Sequence, residues 1–520
     1  MELADLGEAL IDRETRERNI ERLENEALDV LILGGGINGA GVARDLALRA
    51  RRANRVLKIG LAEKGHFASG TSGRNSQLIH GGLRYLKYLE FHLVREALRE
   101  RAILLEIAPH LVEPLGFLMP IASNWERIYY GSGLWLYDAF AGKHNIERHK
   151  RLSREEMEGL EPGLKSDAYM AGALFYDCRV HSARMVLENI TEAISNGAAA
   201  ANYVRETGRA QGSDGRWTVA LEDTITGTRL TARATKLIDA TGPWSHEGLR
   251  LVRGSHIILP RITAGDHAIA YFEPSGRIIF LIPWGPGHAL TLMGTTEVDH
   301  AGDADDVRIS PDETSYLLGI ARDLFPDAPE AEPVAAYSAL RPLIQEGFGS
   351  ATSASREHRI WNADDGVLHI TGGKFTTYRL MSEEASDLTL QEIAPELAED
   401  HPTGTTALNG NTSEKIAGLL EERDTLARRY ALEVQETEEA IKDYGVGVET
   451  LFGYLAGDKC GGLSRLETAR MRYAVEHEMV QRVEDFLHVS TYLGYERRWD
   501  SEALGPLERE LRRLLQMIES

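Results

Sequence analysis

A run of six mostly apolar residues, Leu28-Asp29-Val30-Leu31-Ile32-Leu33, stops at Gly34-Gly35-Gly36-Ile37-Asn38-Gly39, and this junction limits the possible folds more than any other stretch. A short apolar run bounded by glycines reads as a buried parallel strand. The glycines satisfy G-x-G-x-x-G between that strand and a helix predicted over Ala40 to Ala50. The spacing suits a pyrophosphate: glycine lets the backbone turn tightly and approach an anion, and the free N–H groups and dipole of a helix N-terminus favour negative charge. A second strand over residues 55–63 ends at Glu63, 24 positions after Gly39, near the spacing of about 20 for the acid that accepts from a ribose hydroxyl. An acid there points to an unphosphorylated ribose, as in FAD or NAD, without choosing between them.

Composition removes several classes of function. At 520 residues the chain exceeds what one hydrophobic core usually supports, so two or three units are expected. A formal charge of −22 repels a phosphate backbone, which argues against nucleic acid as a partner. Cys178 and Cys460 lie far apart and form neither a C-x-x-C pair nor a disulfide framework, which fits a reducing compartment. The first residues lack the basic-then-apolar pattern of a secretory leader. No apolar stretch approaches the ~18 residues needed to cross a bilayer. The expectation is a cytoplasmic location, with any membrane contact peripheral. No metal-binding cluster is expected.

Further motifs choose the cofactor. The run Ala68-Ser69-Gly70-Thr71-Ser72-Gly73-Arg74-Asn75-Ser76-Gln77-Leu78-Ile79-His80-Gly81-Gly82-Leu83-Arg84-Tyr85 combines small residues, which allow close backbone approach to a flat ring, with hydroxyls for its polar edge. Ile238-Asp239-Ala240-Thr241-Gly242-Pro243-Trp244 reads as a second strand end, and Gly254-Ser255-His256 follows shortly after. Beyond them come Tyr337-Ser338-Ala339-Leu340-Arg341-Pro342-Leu343, then Ser355-Arg356-Glu357, then Thr371-Gly372-Gly373-Lys374-Phe375-Thr376-Thr377-Tyr378-Arg379. Two or three arginines, were they to converge with Lys374, would suit a doubly charged phosphate ester better than a neutral alcohol. A histidine such as His256 can accept a hydroxyl proton near neutral pH.

These motifs together resemble the FAD-dependent glycerol-3-phosphate dehydrogenases, whose pattern around the long run is close to S-G-T-S-S-R-S-x-K-L-I-H-G-G-x-R-Y. Asn75 and Gln77 stand where that family has Ser and Lys, and Ala339 replaces a glycine. The C-terminal Tyr473-Ala474-Val475-Glu476-His477-Glu478-Met479 is similar to a further family segment, whereas His488-Val489-Ser490-Thr491 replaces its usual R-R-R-T.

The resemblance implies an α/β fold: a Rossmann-like FAD-binding domain of the D-amino-acid-oxidase-like superfamily, an antiparallel substrate domain and a helical C-terminal cap. The expected boundaries are an N-terminal helical arm over 1–25, an FAD-binding domain over 26–105 with 181–250 and 345–385, a substrate domain over 106–180 with 251–344, and a helical domain over 400–520. FAD contacts are expected from Gly34, Gly36, Ile37, Asn38, Gly39, Glu63, Lys64, Thr71, Ser72, Ser76, Leu78, His80, Gly81, Gly82, Val204, Ala240, Thr241, Gly242, Trp244, Gly373, Lys374, Phe375, Thr376 and Thr377. Substrate contacts are expected from Arg84, Tyr85, His256, Arg341, Arg356 and Lys374, with His256, Arg341 and Lys374 catalytic. The implied reaction is oxidation of sn-glycerol 3-phosphate to dihydroxyacetone phosphate by hydride transfer to flavin N5, with electrons passed to a quinone, directly or through a partner subunit. An oxidase that makes hydrogen peroxide from dioxygen, or a non-catalytic flavin sensor, are the alternatives. A homodimer is left open.

Overall fold

The computed structural model describes residues 11–245, 249–328, 331–344, 358–457 and 459–517. The apolar run becomes the strand Ala27–Leu33, and Val30, Leu31 and Ile32 are fully buried within it. Each such side chain contributes roughly 1.5–3 kcal/mol on leaving water. This strand lies inside a sheet ordered His358–Asn362, Leu368–Gly372, Arg229–Asp239, Ala27–Leu33, Ile59–Ala62, Ala199–Ala201. From Leu368–Gly372 onward every neighbour in that order is parallel. The strands Val204–Gln211 and Trp217–Asp223 extend it as an antiparallel ribbon. Largely apolar strands buried on both faces suit a parallel sheet.

The helix Ile37–Arg52 leaves the strand at once, capped by Gly36. Its small residues explain how closely it packs. A Cβ on Gly39 would stand 1.9 Å from the Gly34 carbonyl oxygen, and one on Gly41 would stand 2.3 Å from Ser382 Oγ. Helices Ser182–Ser195 and Tyr378–Ile393 pack against it.

A second sheet comprises ten strands among the described residues. Its long members are Val112–Ile121, Ala171–Val180, Leu249–Pro260, Ile278–Trp284 and Ala335–Ile344. Pairing is antiparallel apart from Ala268–Phe272 beside Val112–Ile121. The antiparallel character expected near residues 100–180 and 250–345 is therefore present. It is interrupted by the helices Phe91–Ile107, Asn124–Ala141 and Pro311–Leu324. Leu78–Ile79 joins this sheet by pairing with Arg179 and Cys178, which carries the glycine-rich loop across to it.

The N-terminal helix Arg13–Asn25 packs onto the first sheet rather than projecting as an arm. Its Arg16 is buried, donates to the Asn202 carbonyl oxygen and pairs with Asp223 at 2.7 Å. At the other end of the chain, helices Ser413–Glu421, Val434–Tyr444, Arg465–His477 and Ser501–Met517 form the cap. The cap docks through polar contacts: Arg184 with Glu478 at 2.7 Å, and Tyr203 Oη donating to Asp485 at 2.6 Å. Among the described residues no helix is long and apolar enough to cross a membrane.

Candidate active site

Residues from both sheets line one cavity of about 960 Å³. Its first end is the glycine turn. Gly34 has φ +104°, and a Cβ there would meet the Ala240 carbonyl oxygen at 2.6 Å, so only glycine fits without strain. The Ile37 N–H donates to Ser72 Oγ at 2.9 Å, placing a serine at the mouth of the helix N-terminus. Glu63 follows the strand Ile59–Ala62 and accepts from the N–H groups of Gly35 (2.6 Å) and Gly65 (2.8 Å). Burial pushes its pKa up against the lowering effect of those two donors. Each carboxylate oxygen keeps a second lone pair for a ribose hydroxyl. A close-approach turn, an open helix N-terminus and an acid at the second strand end fit the pyrophosphate and ribose of FAD.

Over this end, Lys64 Nζ stands 4.2 Å from the centre of the Trp244 ring. Both side chains reach one carboxylate across the cavity: Lys64 pairs with Asp305, and Trp244 Nε1 donates to Asp305 at 2.8 Å.

The middle of the cavity is shaped by the turn at Gly81-Gly82. The Gly81 N–H donates to Tyr137 Oη at 2.8 Å, and that hydroxyl donates to Asp177 at 2.7 Å. Arg101 pairs with Asp177 at 2.6 Å, fully buried. This network holds the turn from behind, while Gly82, at φ +75°, faces Tyr85 and Lys374. The His80 N–H donates to Thr376 Oγ1 at 3.1 Å, which joins the turn to the segment after Gly373. Asn75 Nδ2 donates to the Ser72 carbonyl oxygen at 2.7 Å, and Gln77 Oε1 accepts from Ser182 N–H and Tyr492 Oη at 2.9 Å each. Asn75 and Gln77, two of the departures from the family pattern, thus brace the loop internally and against the cap.

His256, Arg341, Arg84, Tyr85 and Lys374 line the same cavity. His256 lies in Leu249–Pro260, hydrogen-bonded through Nε2 to Ser76 Oγ at 2.8 Å and stacked on Tyr337 at 5.0 Å between centroids. Its Nδ1 has no hydrogen-bond partner among the described residues. Burial, reinforced by the Arg341 charge, pushes its pKa down to about 3. Arg341 lies over Gly254 and donates to Thr295 Oγ1 (3.0 Å) and to the Thr296 carbonyl oxygen (3.3 Å). Arg84 pairs with Glu297 at 3.2 Å, and Lys374 Nζ sits 3.7 Å from the centre of the Tyr85 ring.

The expected FAD and substrate residues line this cavity, apart from Gly39, Gly81 and Thr377. Gly39 lies beneath the Gly34 carbonyl, Gly81 is turned toward Tyr137, and Thr377 is buried with its hydroxyl on the Lys374 carbonyl oxygen. Arg356 lies outside the described residues. Several charged cavity residues are absent from the expected contacts, among them Arg74, Arg277, Glu297 and Asp305. Glu297 had a signal, since it closes Gly294-Thr295-Thr296-Glu297, a glycine and two hydroxyls ahead of an acid. Arg74 sits inside the loop over 68–85, and Arg277 and Asp305 carry no motif of their own.

Residues 29–388 match the family model described as FAD dependent oxidoreductase, and the chain belongs to that family. It is 34% identical over 497 residues to the glycerol-3-phosphate dehydrogenase of Pseudomonas aeruginosa, covering 90% of this chain and 92% of that protein. It is equally 34% identical over 496 residues to the D-erythritol 1-phosphate dehydrogenase of Brucella abortus, covering 90% and 95%. The X-ray structure of the glycerol-3-phosphate dehydrogenase from Bacillus halodurans complexed with FAD superposes with TM-score 0.74 at 27% identity, covering 97% of this chain and 98% of that one. Within the wider family, the chain is a member of the FAD-dependent glycerol-3-phosphate dehydrogenases.

Proposed function

We propose that this protein oxidises sn-glycerol 3-phosphate to dihydroxyacetone phosphate. The observation that carries the reading is that Arg84, Arg341, Lys374 and His256 line the same cavity as a dinucleotide turn. FAD, when bound, supplies a hydride acceptor at N5 and passes the electrons to a second acceptor. The rest falls to the protein. Arg84 and Arg341 offer planar donor sets that match phosphate oxygens, and Lys374 adds a point charge. His256 is neutral above about pH 3, so a ring nitrogen can accept a hydrogen bond from the C2 hydroxyl and orient it for hydride transfer. Ser76 and Tyr337 fix its ring for that contact.

The acceptor we propose is a membrane quinone, met by peripheral contact at the cytoplasmic face. Support comes from the helix Asn124–Ala141. Its outer side leaves Trp125, Ile128 and Trp135 exposed at 67%, 74% and 66%, while Tyr137 on its inner side reaches the Gly81 turn. Aromatic and aliphatic side chains on one face suit an interfacial helix, and one helix thickness, about 10 Å, then separates the membrane from the flavin turn.

Turnover with a soluble quinone analogue and peroxide yield in air decide between the acceptors. Dihydroxyacetone phosphate formed with the quinone and little peroxide supports the proposal; stoichiometric peroxide without quinone turnover makes the protein an oxidase. The Brucella abortus relative supports a second substrate, D-erythritol 1-phosphate. A higher kcat/KM for it than for glycerol 3-phosphate would replace the first reading.

A further inference from the structure

The segment Gly294-Thr295-Thr296-Glu297 touches three of the groups gathered at the substrate end. Gly294 lies against the His256 ring, and Thr295 and Thr296 receive Arg341. Glu297 receives Arg84 on its carboxylate at 3.2 Å and Arg277 on its backbone oxygen at 3.3 Å. The Glu297 side chain is only 4% exposed and that of Arg84 15%. A carboxylate taken that far from water is costly to keep ionised without a close cation. An arginine on a short 3₁₀ turn, as Arg84 is in Leu83–Tyr88, loses much rotamer freedom when held in one place. Each residue therefore fixes the other.

We infer that Glu297 is a positioning residue for phosphate recognition: it fixes the plane of the Arg84 guanidinium relative to the cavity that both line. The inference rests on the proposal that the site takes a phosphorylated polyol. Glu297 does not touch the phosphate. It acts through Arg84, and the adjoining Thr296 carbonyl aligns Arg341 beside it, so a single backbone segment sets the spacing of the two guanidinium groups. Bidentate recognition depends on that spacing, because an error of about 1 Å in a reacting ensemble costs about 100-fold in rate.

The test is a double-mutant cycle on the FAD-loaded enzyme, read as kcat/KM for glycerol 3-phosphate. Glu297→Gln should lower kcat/KM about 100-fold in the wild-type background and less than about twofold in an Arg84→Ala background. Glu297→Asp, which keeps the charge, should restore most of the loss. Equal losses in the two backgrounds, or no loss in the first, overturn the inference. Should Glu297→Gln fail to fold, Glu297→Asp carries the cycle through its smaller, Arg84-dependent loss, and a loss indifferent to Arg84 has the same overturning force. Inorganic phosphate, titrated against the flavin spectrum, separates the two levels of the argument. A wild type that binds phosphate but ignores glycerol 3-phosphate defeats the substrate reading alone. Identical phosphate affinity in wild type and Glu297→Gln defeats the role of Glu297 alone.

Discussion

The imidazole of His256 lies directly on Gly294, so closely that a Cβ there would stand 2.3 Å from its Cδ2. The ring cannot retreat, because Ser76 holds one edge and Tyr337 covers a face. Gly294→Ala should displace the ring and lower kcat by about 100-fold, with the flavin spectrum retained. Unchanged kcat would show that His256 does not need this seat. Gly254→Ala should displace Arg341, whose guanidinium would stand 2.6–2.8 Å from the new Cβ, and raise KM for glycerol 3-phosphate.

Arg341 gives a second prediction. Removing a charge-assisted partner of a phosphate costs about 1.5–3 kcal/mol, so Arg341→Ala should raise KM for glycerol 3-phosphate by roughly 10- to 150-fold and leave FAD bound. Steady-state kinetics beside the flavin-to-protein absorbance ratio check it. Loss of FAD with unchanged KM would move Arg341 from the substrate to the cofactor.

The buried histidine makes stability depend on pH in a definite direction. In the unfolded chain His256 titrates near 6.5, and in the folded protein burial lowers it to about 3. Between those values only the unfolded chain takes the proton, so stability is full above pH 6.5 and is lost as pH falls toward 3. The loss from pH 7 to pH 5 amounts to about 2 kcal/mol for this group. His181 is shifted the same way by burial, so the clean readout is a difference. Urea midpoints at both pH values should fall less in His256→Asn than in wild type; equal falls would mean the imidazole is not buried neutral.

Asp305 lines the cavity and holds Lys64 and Trp244. Asp305→Ala should release FAD faster, seen as recovery of free flavin fluorescence after dilution. Exposed pairs contribute little, about 0.2–1 kcal/mol, so the expected gain in release rate is severalfold. An unchanged rate would mean the contact does not restrain the cofactor.

Much of this site is local in sequence and hence legible there. The strand, the glycine turn and Glu63 are encoded within one strand-helix-strand unit, because tight turns and close helix packing admit few residues other than glycine at Gly34 and Gly39. His256 and Arg341 carry no local periodic signal, and only the resemblance of their motifs marked them. Arg277 and Glu297 reach the cavity beside strands paired over long distances, and Asp305 from the turn between Val298–Asp299 and Pro311–Leu324, which no spacing rule reports. The helix Asn124–Ala141 was hidden by its aromatic residues, although Ser123 and Glu126 provide a capping signal at its start.

The most direct measurement is anaerobic mixing of the FAD-loaded protein with glycerol 3-phosphate and, in parallel, with unphosphorylated glycerol. The account predicts prompt loss of the oxidised flavin's visible absorbance with the phosphate ester, no change with glycerol, and dihydroxyacetone phosphate formed in equal amount to the flavin. Absorbance that persists with the ester, or that falls equally with both alcohols, contradicts a site built to present a phosphorylated polyol to the flavin.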